Sequence, residues 1–246
     1  MDGFLIALIA VLGVVLGSFA NVLVARLPSR QSIGGRSRCP SCGEELAVRD
    51  LIPVLSYALL GGRCRSCKAP ISLRYPIMEI ASGALFLLAV FHTAPAIVPG
   101  LLLSFFLWLL LTIAAIDAQT QQIPDSLNIP LFFVGVCYAA SIRSIVLSCP
   151  ILAVAFFLLQ WLLSRGKWVG SGDILLAAGV GFALGSIGDV LLWLGLSYII
   201  GGCIAAVLLL MHRRKRTDTI AFAPILAFGA AVVLLYGDRI AQGVFP

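Results

Sequence analysis

The sequence predicts an all-α polytopic membrane protein, with about eight transmembrane helices and a small cytoplasmic loop domain between helices 1 and 2. Three observations predict it. Of the 246 residues, 61% are hydrophobic and 11% charged, and mean hydropathy is +1.07; soluble domains carry about 25% charged residues. Apolar runs fall at 4–24, 76–91, 97–116, 127–147, 150–164, 174–188, 190–211 and 219–236, and one bilayer crossing takes about 20 such residues. The 17 cations sit in or beside the segments between runs, so they set membrane orientation before anything else.

The first run differs from a cleaved signal peptide. Asp2 stands where a basic region belongs, and the run ends at Arg26 with no small-residue cleavage site. Residues 1–25 are therefore read as a retained first helix. Residues 26–75 form the sizeable polar segment, with nine cations against three acids, Glu44, Glu45 and Asp50. Clustered Lys and Arg mark the cytoplasmic side. Eight crossings counted from there leave 15 of 17 cations inside, including Arg165, Lys167 and the cluster Arg213-Arg214-Lys215-Arg216. Arg143 and Arg239 fall outside, and both termini face outward. The basic cluster reads as an anchor on anionic lipid. The runs at 76–91, 150–164 and 174–188 are short for a bilayer.

The same count places two aspartates on one membrane face. Asp117 closes the run at 97–116 and begins Asp117-Ala-Gln-Thr-Gln-Gln-Ile-Pro-Asp125; Asp173 ends Gly170-Ser171-Gly172-Asp173 before the run at 174–188. Ionisable groups at membrane depth are costly and functional by default. Two carboxylates that meet can share one proton and activate a water, as in aspartic proteases. The bland reading makes Asp117 a solvated loop residue, and Asp125 with Ser126 a cap for a helix starting near Leu127. Gly-x-Gly-Asp alone is a short motif, explicable as a turn with an acid favoured by the helix dipole. Glycines there also let an extended backbone lie against the carboxylate. Together, on one face, the two motifs point to chemistry.

Cys39-Pro-Ser-Cys42 and Cys64-Arg-Ser-Cys67 are separated by 21 residues, close to the spacing of two zinc knuckles closing one tetrahedral site. A cytoplasmic loop disfavours disulfides, and about 50 residues hold too little core to fold without help. All-thiolate ligation indicates structural zinc on Cys39, Cys42, Cys64 and Cys67. A redox dithiol pair is the weaker alternative. Nucleic acid is not expected, because the loop is tethered to membrane and lacks an aromatic stacking series. Cys137, Cys149 and Cys203 read as small apolar residues, and His92 and His212 receive no role. Glu79, just inside the second run, is an intramembrane acid able to contact the loop, a substrate amine or Arg74. Asp189 and Asp238 read as outer loop residues.

In this order the residues resemble the bacterial type IV prepilin peptidases, also called leader peptidase/N-methyltransferases. The resemblance runs through Gly17-Ser18-Phe19-Ala20-Asn21-Val22, Arg26-Leu27-Pro28, Ser37-Arg38-Cys39-Pro40-Ser41-Cys42-Gly43 and Asp50-Leu51-Ile52-Pro53-Val54-Leu55-Ser56-Tyr57. It continues with Gly62-Arg63-Cys64-Arg65-Ser66-Cys67, Ile71-Ser72-Leu73-Arg74-Tyr75-Pro76 before Glu79, then Asp117, Ile123-Pro124-Asp125 and the Gly-x-Gly-Asp motif. It implies that Asp117 and Asp173 are catalytic and the four cysteines bind zinc. It also implies that 76–246 is the peptidase domain, in a multi-pass protein of the bacterial cytoplasmic (inner) membrane. The implied substrates are type IV prepilins or pseudopilins, cut after Gly on the cytoplasmic side. Methylation of the new N-terminus by S-adenosylmethionine is implied too, and no glycine-rich cofactor loop stands out. Two departures are visible: Leu175 replaces a frequent Lys, and Ala221 and Ala223 stand where proline and glycine are common. An ion- or proton-coupled transporter is the alternative from another class, but its acids belong near the midplane between inverted repeats. Presenilin-like proteases share Gly-x-Gly-Asp but need a Tyr-Asp partner, and Ile116 precedes Asp117 here.

Overall fold

A computed structural model describes residues 2–211 and 220–244. Among these the structure is helical and has no β-strand. Eight helices have 14 residues or more: α1 (Gly3–Arg26), α3 (Arg74–Thr93), α4 (Ile97–Thr120), α5 (Asp125–Ser141), α6 (Ser148–Ser164), α7 (Ser171–Leu184), α8 (Ile187–Leu210) and α9 (Ala223–Val244). The ninth, α2 (Leu55–Leu59), lies in the polar loop beside a 3-10 turn, Val48–Leu51. Each long helix falls on one of the eight apolar runs. By length and composition, α1, α3, α4 and α8 suffice to cross a membrane. The others run shorter, and α7 has 14 residues, about 21 Å at 1.5 Å per residue.

The shortest of the eight long helices, α7, is also among the most enclosed. Leu176, Ala177 and Val180 of α7 have no exposure, and α5 and α6 pack along it. Small residues make that approach possible, as expected where helices associate by close packing in lipid. A Cβ on Gly181 would lie 2.6 Å from Pro150 Cα, and one on Gly135 would lie 2.5 Å from the Gly179 carbonyl oxygen. A helix wrapped by neighbours meets protein rather than lipid, so it need not match the bilayer thickness.

Elsewhere α1 lies along α3, α3 along α4, and α9 against α4 and α8. Several buried polar groups in these seams find partners, as a lipid environment favours. Ser82 Oγ donates to the Gly13 carbonyl at 2.6 Å, Trp108 Nε1 to Leu16 at 3.0 Å and Trp193 Nε1 to Leu226 at 2.9 Å.

Some helix boundaries differ from the apolar runs. The run to 147 stays helical only to Ser141, because Arg143 turns left-handed at φ 56. The run to 188 breaks at Gly185, φ 71, and Ser186 then caps α8 by accepting the Asp189 N–H at 3.0 Å. Asp189 thus belongs to the first helical turn of α8, and position 238 lies inside α9; neither is a loop residue. Asp125 is not a cap: α5 begins at Asp125 itself, after Pro124. Its exposed acid sits in the first turn, where the helix dipole favours it. The cluster Arg213 to Arg216 and His212 lie outside the described residues.

Candidate active site and metal centre

Asp117 sits in the last turn of α4. The helix ends because Gln121 adopts the left-handed conformation, φ 53, and returns its N–H to the Asp117 carbonyl at 2.8 Å, the αL form of C-cap. The chain then carries Ile123 onto the Gly-x-Gly-Asp motif. A Cβ on Gly172 would lie 2.8 Å from Ile123 Cβ, so only glycine fits beneath this side chain. Asn128 in α5 donates from Nδ2 to the Gly172 carbonyl at 2.8 Å. Two contacts, one from the α4–α5 connection and one from α5, therefore hold this region against the start of α7.

Asp173 is the third residue of α7, and its Oδ2 accepts the N–H of Gly170 at 3.0 Å. This is the backward half of a capping box, so the structural and chemical readings of that acid hold together. Asp117 Oδ2 accepts the N–H of Ala223, the first residue of α9, at 3.0 Å. Asp117 is 5% exposed and Asp173 8%. Ile123, six residues beyond Asp117, lies over Gly172, one residue before Asp173, so both buried acids flank the same junction. Two carboxyls that meet can divide one proton between them.

Sequence reasoning passed over two contributors here. Asn128 is fully buried, and its Oδ1 has no partner. A polar residue inside an apolar run was the available signal. The Ala223 N–H is a backbone donor brought by the fold, which side-chain identity does not announce. Ala223 keeps this donor just as glycine would, so that departure leaves the contact intact.

The cysteines meet in the loop between α1 and α3. Each pair folds into the same tight turn: Gly43 N–H returns to Cys39 O at 2.9 Å and Lys68 N–H to Cys64 O at 3.0 Å, with Gly43 and Lys68 left-handed at φ 74 and 60. Their four sulfurs lie within 4.8 Å of one another, with Cys39 and Cys67 at 3.9 Å. A tetrahedral zinc site with Zn–S of about 2.3 Å has sulfurs about 3.8 Å apart, so this set fits a metal ion. None of the seven cysteines is in a disulfide. N–H groups of Cys42 and Ser41 pull the Cys39 thiol down to about 6. Cys42 is held at about 11: the Glu44 N–H lowers it, but desolvation and the Cys67 and Cys39 sulfurs outweigh that. A cation would favour thiolate at all four.

The loop is docked at the same end of the bundle as the aspartates. Arg74 donates to Gln119 Oε1, two residues beyond Asp117, at 2.7 Å. Asn21 in α1 donates to the Tyr75 carbonyl at 3.1 Å. Glu79, 6% exposed, accepts the Val54 N–H through Oε2 at 2.7 Å. Of the three contacts considered for Glu79, it makes the one to the loop.

Two family profiles cover most of the chain: "Bacterial Peptidase A24 N-terminal domain" matches residues 11–93 and "Type IV leader peptidase family" matches 104–210. The chain belongs to the type IV leader peptidase family. It is 35% identical over 277 residues to a prepilin leader peptidase/N-methyltransferase of Burkholderia pseudomallei, covering 96% of this chain and 86% of that one. A protein of the same name from Klebsiella pneumoniae is 43% identical over 190 residues, 70% of this chain and 82% of its own. The Pseudomonas aeruginosa relative of that name is 32% identical over 263 residues, 94% and 90% of the two chains. No solved structure matches. These matches give the transporter alternative no support.

Proposed function

We propose that this chain is an aspartic endopeptidase of the bacterial inner membrane that removes the basic leader from type IV prepilins or pseudopilins, cutting after glycine on the cytoplasmic side. The observation that carries this reading is the packing of Ile123 and Asn128 on Gly172, which ties the Asp117 segment to the motif bearing Asp173. In this reading one carboxylate is ionised and takes a proton from a water attacking the scissile carbonyl. The other, protonated, donates to the carbonyl oxygen. The apolar helix of the substrate stays in lipid while its leader hangs beside the inner surface, where the cation bias of the sequence puts both acids.

Cys39, Cys42, Cys64 and Cys67 would hold zinc as a structural ion that ties the loop into one unit. The relatives' shared name supports a second activity, methylation of the new N-terminal amine with S-adenosylmethionine as donor. Asp117→Asn and Asp173→Asn, each assayed in membranes with a prepilin and read by mass, should abolish leader removal. Substantial cleavage by either variant refutes the paired-acid mechanism.

A further inference from the structure

The hydrogen bond that Asp117 receives from Ala223 is aimed from outside the aspartate pair. The opening turn of a helix leaves N–H groups without partners inside it. At the start of α9, Pro224 has none to give, and Ile225 and Leu226 give theirs to the Phe222 carbonyl, at 3.0 and 3.1 Å. Ala223 is left, and its N–H goes to Asp117 Oδ2 at 3.0 Å. Phe222 is therefore the pivot of this turn. Its carbonyl closes the turn, and its peptide bond to Ala223 carries the donor.

Two residues of α8 seat the Phe222 ring. Tyr198 meets it edge-on, with centroids 5.2 Å apart and planes at 73°, a favoured arrangement for aromatic pairs. Gly201, three residues along and so on the same helix face, leaves room for it: a Cβ there would come within 3.2 Å of Phe222 Cε2. Tyr198 is itself braced by α6. Its ring meets Phe156 at 5.4 Å, and its hydroxyl donates to Gln160 Oε1 at 2.8 Å. Gln160 Nε2 donates to the Phe156 carbonyl at 3.3 Å, so its amide is oriented with Oε1 as the acceptor. No buried residue reinforces this joint farther along α8. Its buried residues are Val190, Trp193, Leu194 and Ser197, and from Tyr198 to Met211 none is buried. Tyr198 is thus where α6, α8 and the segment leading into α9 meet.

We propose that Tyr198 is a positioning residue for leader cleavage: it seats the Phe222 ring and, through that ring, aims the Ala223 N–H at Asp117. The inference rests on the aspartic reading above and adds to it a residue that acts through its neighbours. With Oδ2 engaged by Ala223, the Asp117 carboxyl is held in one orientation. Reacting groups tolerate a displacement of only about 0.5 Å before efficiency falls. A shift of the Phe222 ring moves the peptide bond that carries the donor, so the loss should fall on turnover and spare substrate binding.

Prepilin cleavage by the purified full-length protein in detergent, with kcat and KM separated, tests the proposal. Tyr198→Ala should lower kcat about tenfold, the loss expected when Ala223→Pro removes the donor outright, and leave KM within about twofold. Tyr198→Phe keeps the ring and should recover to within about threefold of the parent. Gln160→Leu should match it, since each loses the same neutral hydrogen bond. The deciding measurement is the double variant. In an Ala223→Pro background, Tyr198→Ala should lower kcat by less than about twofold more, because the donor it aims is already gone. Losses that multiply, to about a hundredfold together, overturn the proposal, as does a Tyr198→Ala protein with parental kcat or one altered only in KM. Gly201→Ala covers the case in which Tyr198→Ala fails to fold. It leaves Tyr198 in place, presses on Phe222 and should lower kcat about threefold in the parent but not in the Ala223→Pro background; an equal loss in both overturns the route through Phe222. Asp117→Asn controls for the underlying reading. If that variant cleaves, the paired acids and the positioning role fall together; if it is inactive while the losses multiply, only the role of Tyr198 falls.

Discussion

The aspartate site and the cysteine site are built by opposite means. Each cysteine pair is made locally, by a turn closed within five residues, and the two turns then meet. The aspartates have no local relation at all. The segments that carry them come together because Gly172 leaves room for Ile123 and because Gly135, Gly179 and Gly181 let α5 and α6 close on α7. Backbone groups finish the work, with Gly170 and Ala223 each giving an N–H to one carboxylate. One site gathers four side chains that a metal ion could hold, and the other rests on helix packing. The two should therefore fail separately.

The largest effect is expected at the acids. Asp117→Asn or Asp173→Asn keeps the size and most hydrogen bonds of the side chain, so the helices should still insert. Cleavage should fall by at least about 10²-fold, the usual scale for losing acid–base catalysis, in a timed prepilin assay.

Next comes the backbone donor to Asp117. Ala223→Pro removes the N–H while suiting the first position of a helix, and should lower cleavage about tenfold, the scale of one hydrogen bond to a charge. Ala223→Gly retains the donor and should cleave within about twofold of the parent. Equal rates for the two variants would mean that the α9 terminus does not tune the site.

Metal removal sharpens the contrast. Chelation, or Cys39→Ser with Cys64→Ser, should make residues 26–75 sensitive to trypsin while α4 and α7 stay protected. Limited proteolysis read by mass checks this. Simultaneous loss of protection in both regions would show one cooperative unit instead of two.

The smallest effect is in loop electrostatics. Arg65 hydrogen bonds at 2.7 and 3.0 Å hold the Asp50 carboxyl below the usual carboxylate range. A lowered folded value contributes stability that is complete above the unfolded value of about 3.9 and fades as pH falls through the lowered one. Asp50→Asn should therefore matter near neutral pH and cease to matter in acid. Loop protection against trypsin cannot be read that low, so hydrogen exchange across 48–65 is the measurement.

The cysteine spacing was readable because knuckle geometry is local and repeated, and the eight helices were readable because lipid demands long apolar runs. Their ends were less so. Arg143 and Gly185 stop helices inside apolar stretches, where hydropathy continues although the backbone turns. Asp125 looked like a cap but lies one residue inside its helix, a distinction set by Pro124 dihedrals. Asn128 was missed because nothing in its own run names Gly172 as its partner.

Composition, the order of charges and the cysteine spacing were enough to determine a membrane-spanning helical chain with a four-cysteine loop suited to a metal, and to select Asp117 and Asp173 as acids worth pairing. Those features follow from solvation, which acts residue by residue. Tertiary structure alone decided that Ile123 covers Gly172, that the start of α9 reaches Asp117, and that Tyr198 of α8 packs on Phe222 beside it. Such contacts join residues up to 106 positions apart. They depend on which helix faces close against which, and steric fit between distant surfaces leaves no periodic trace in a single chain.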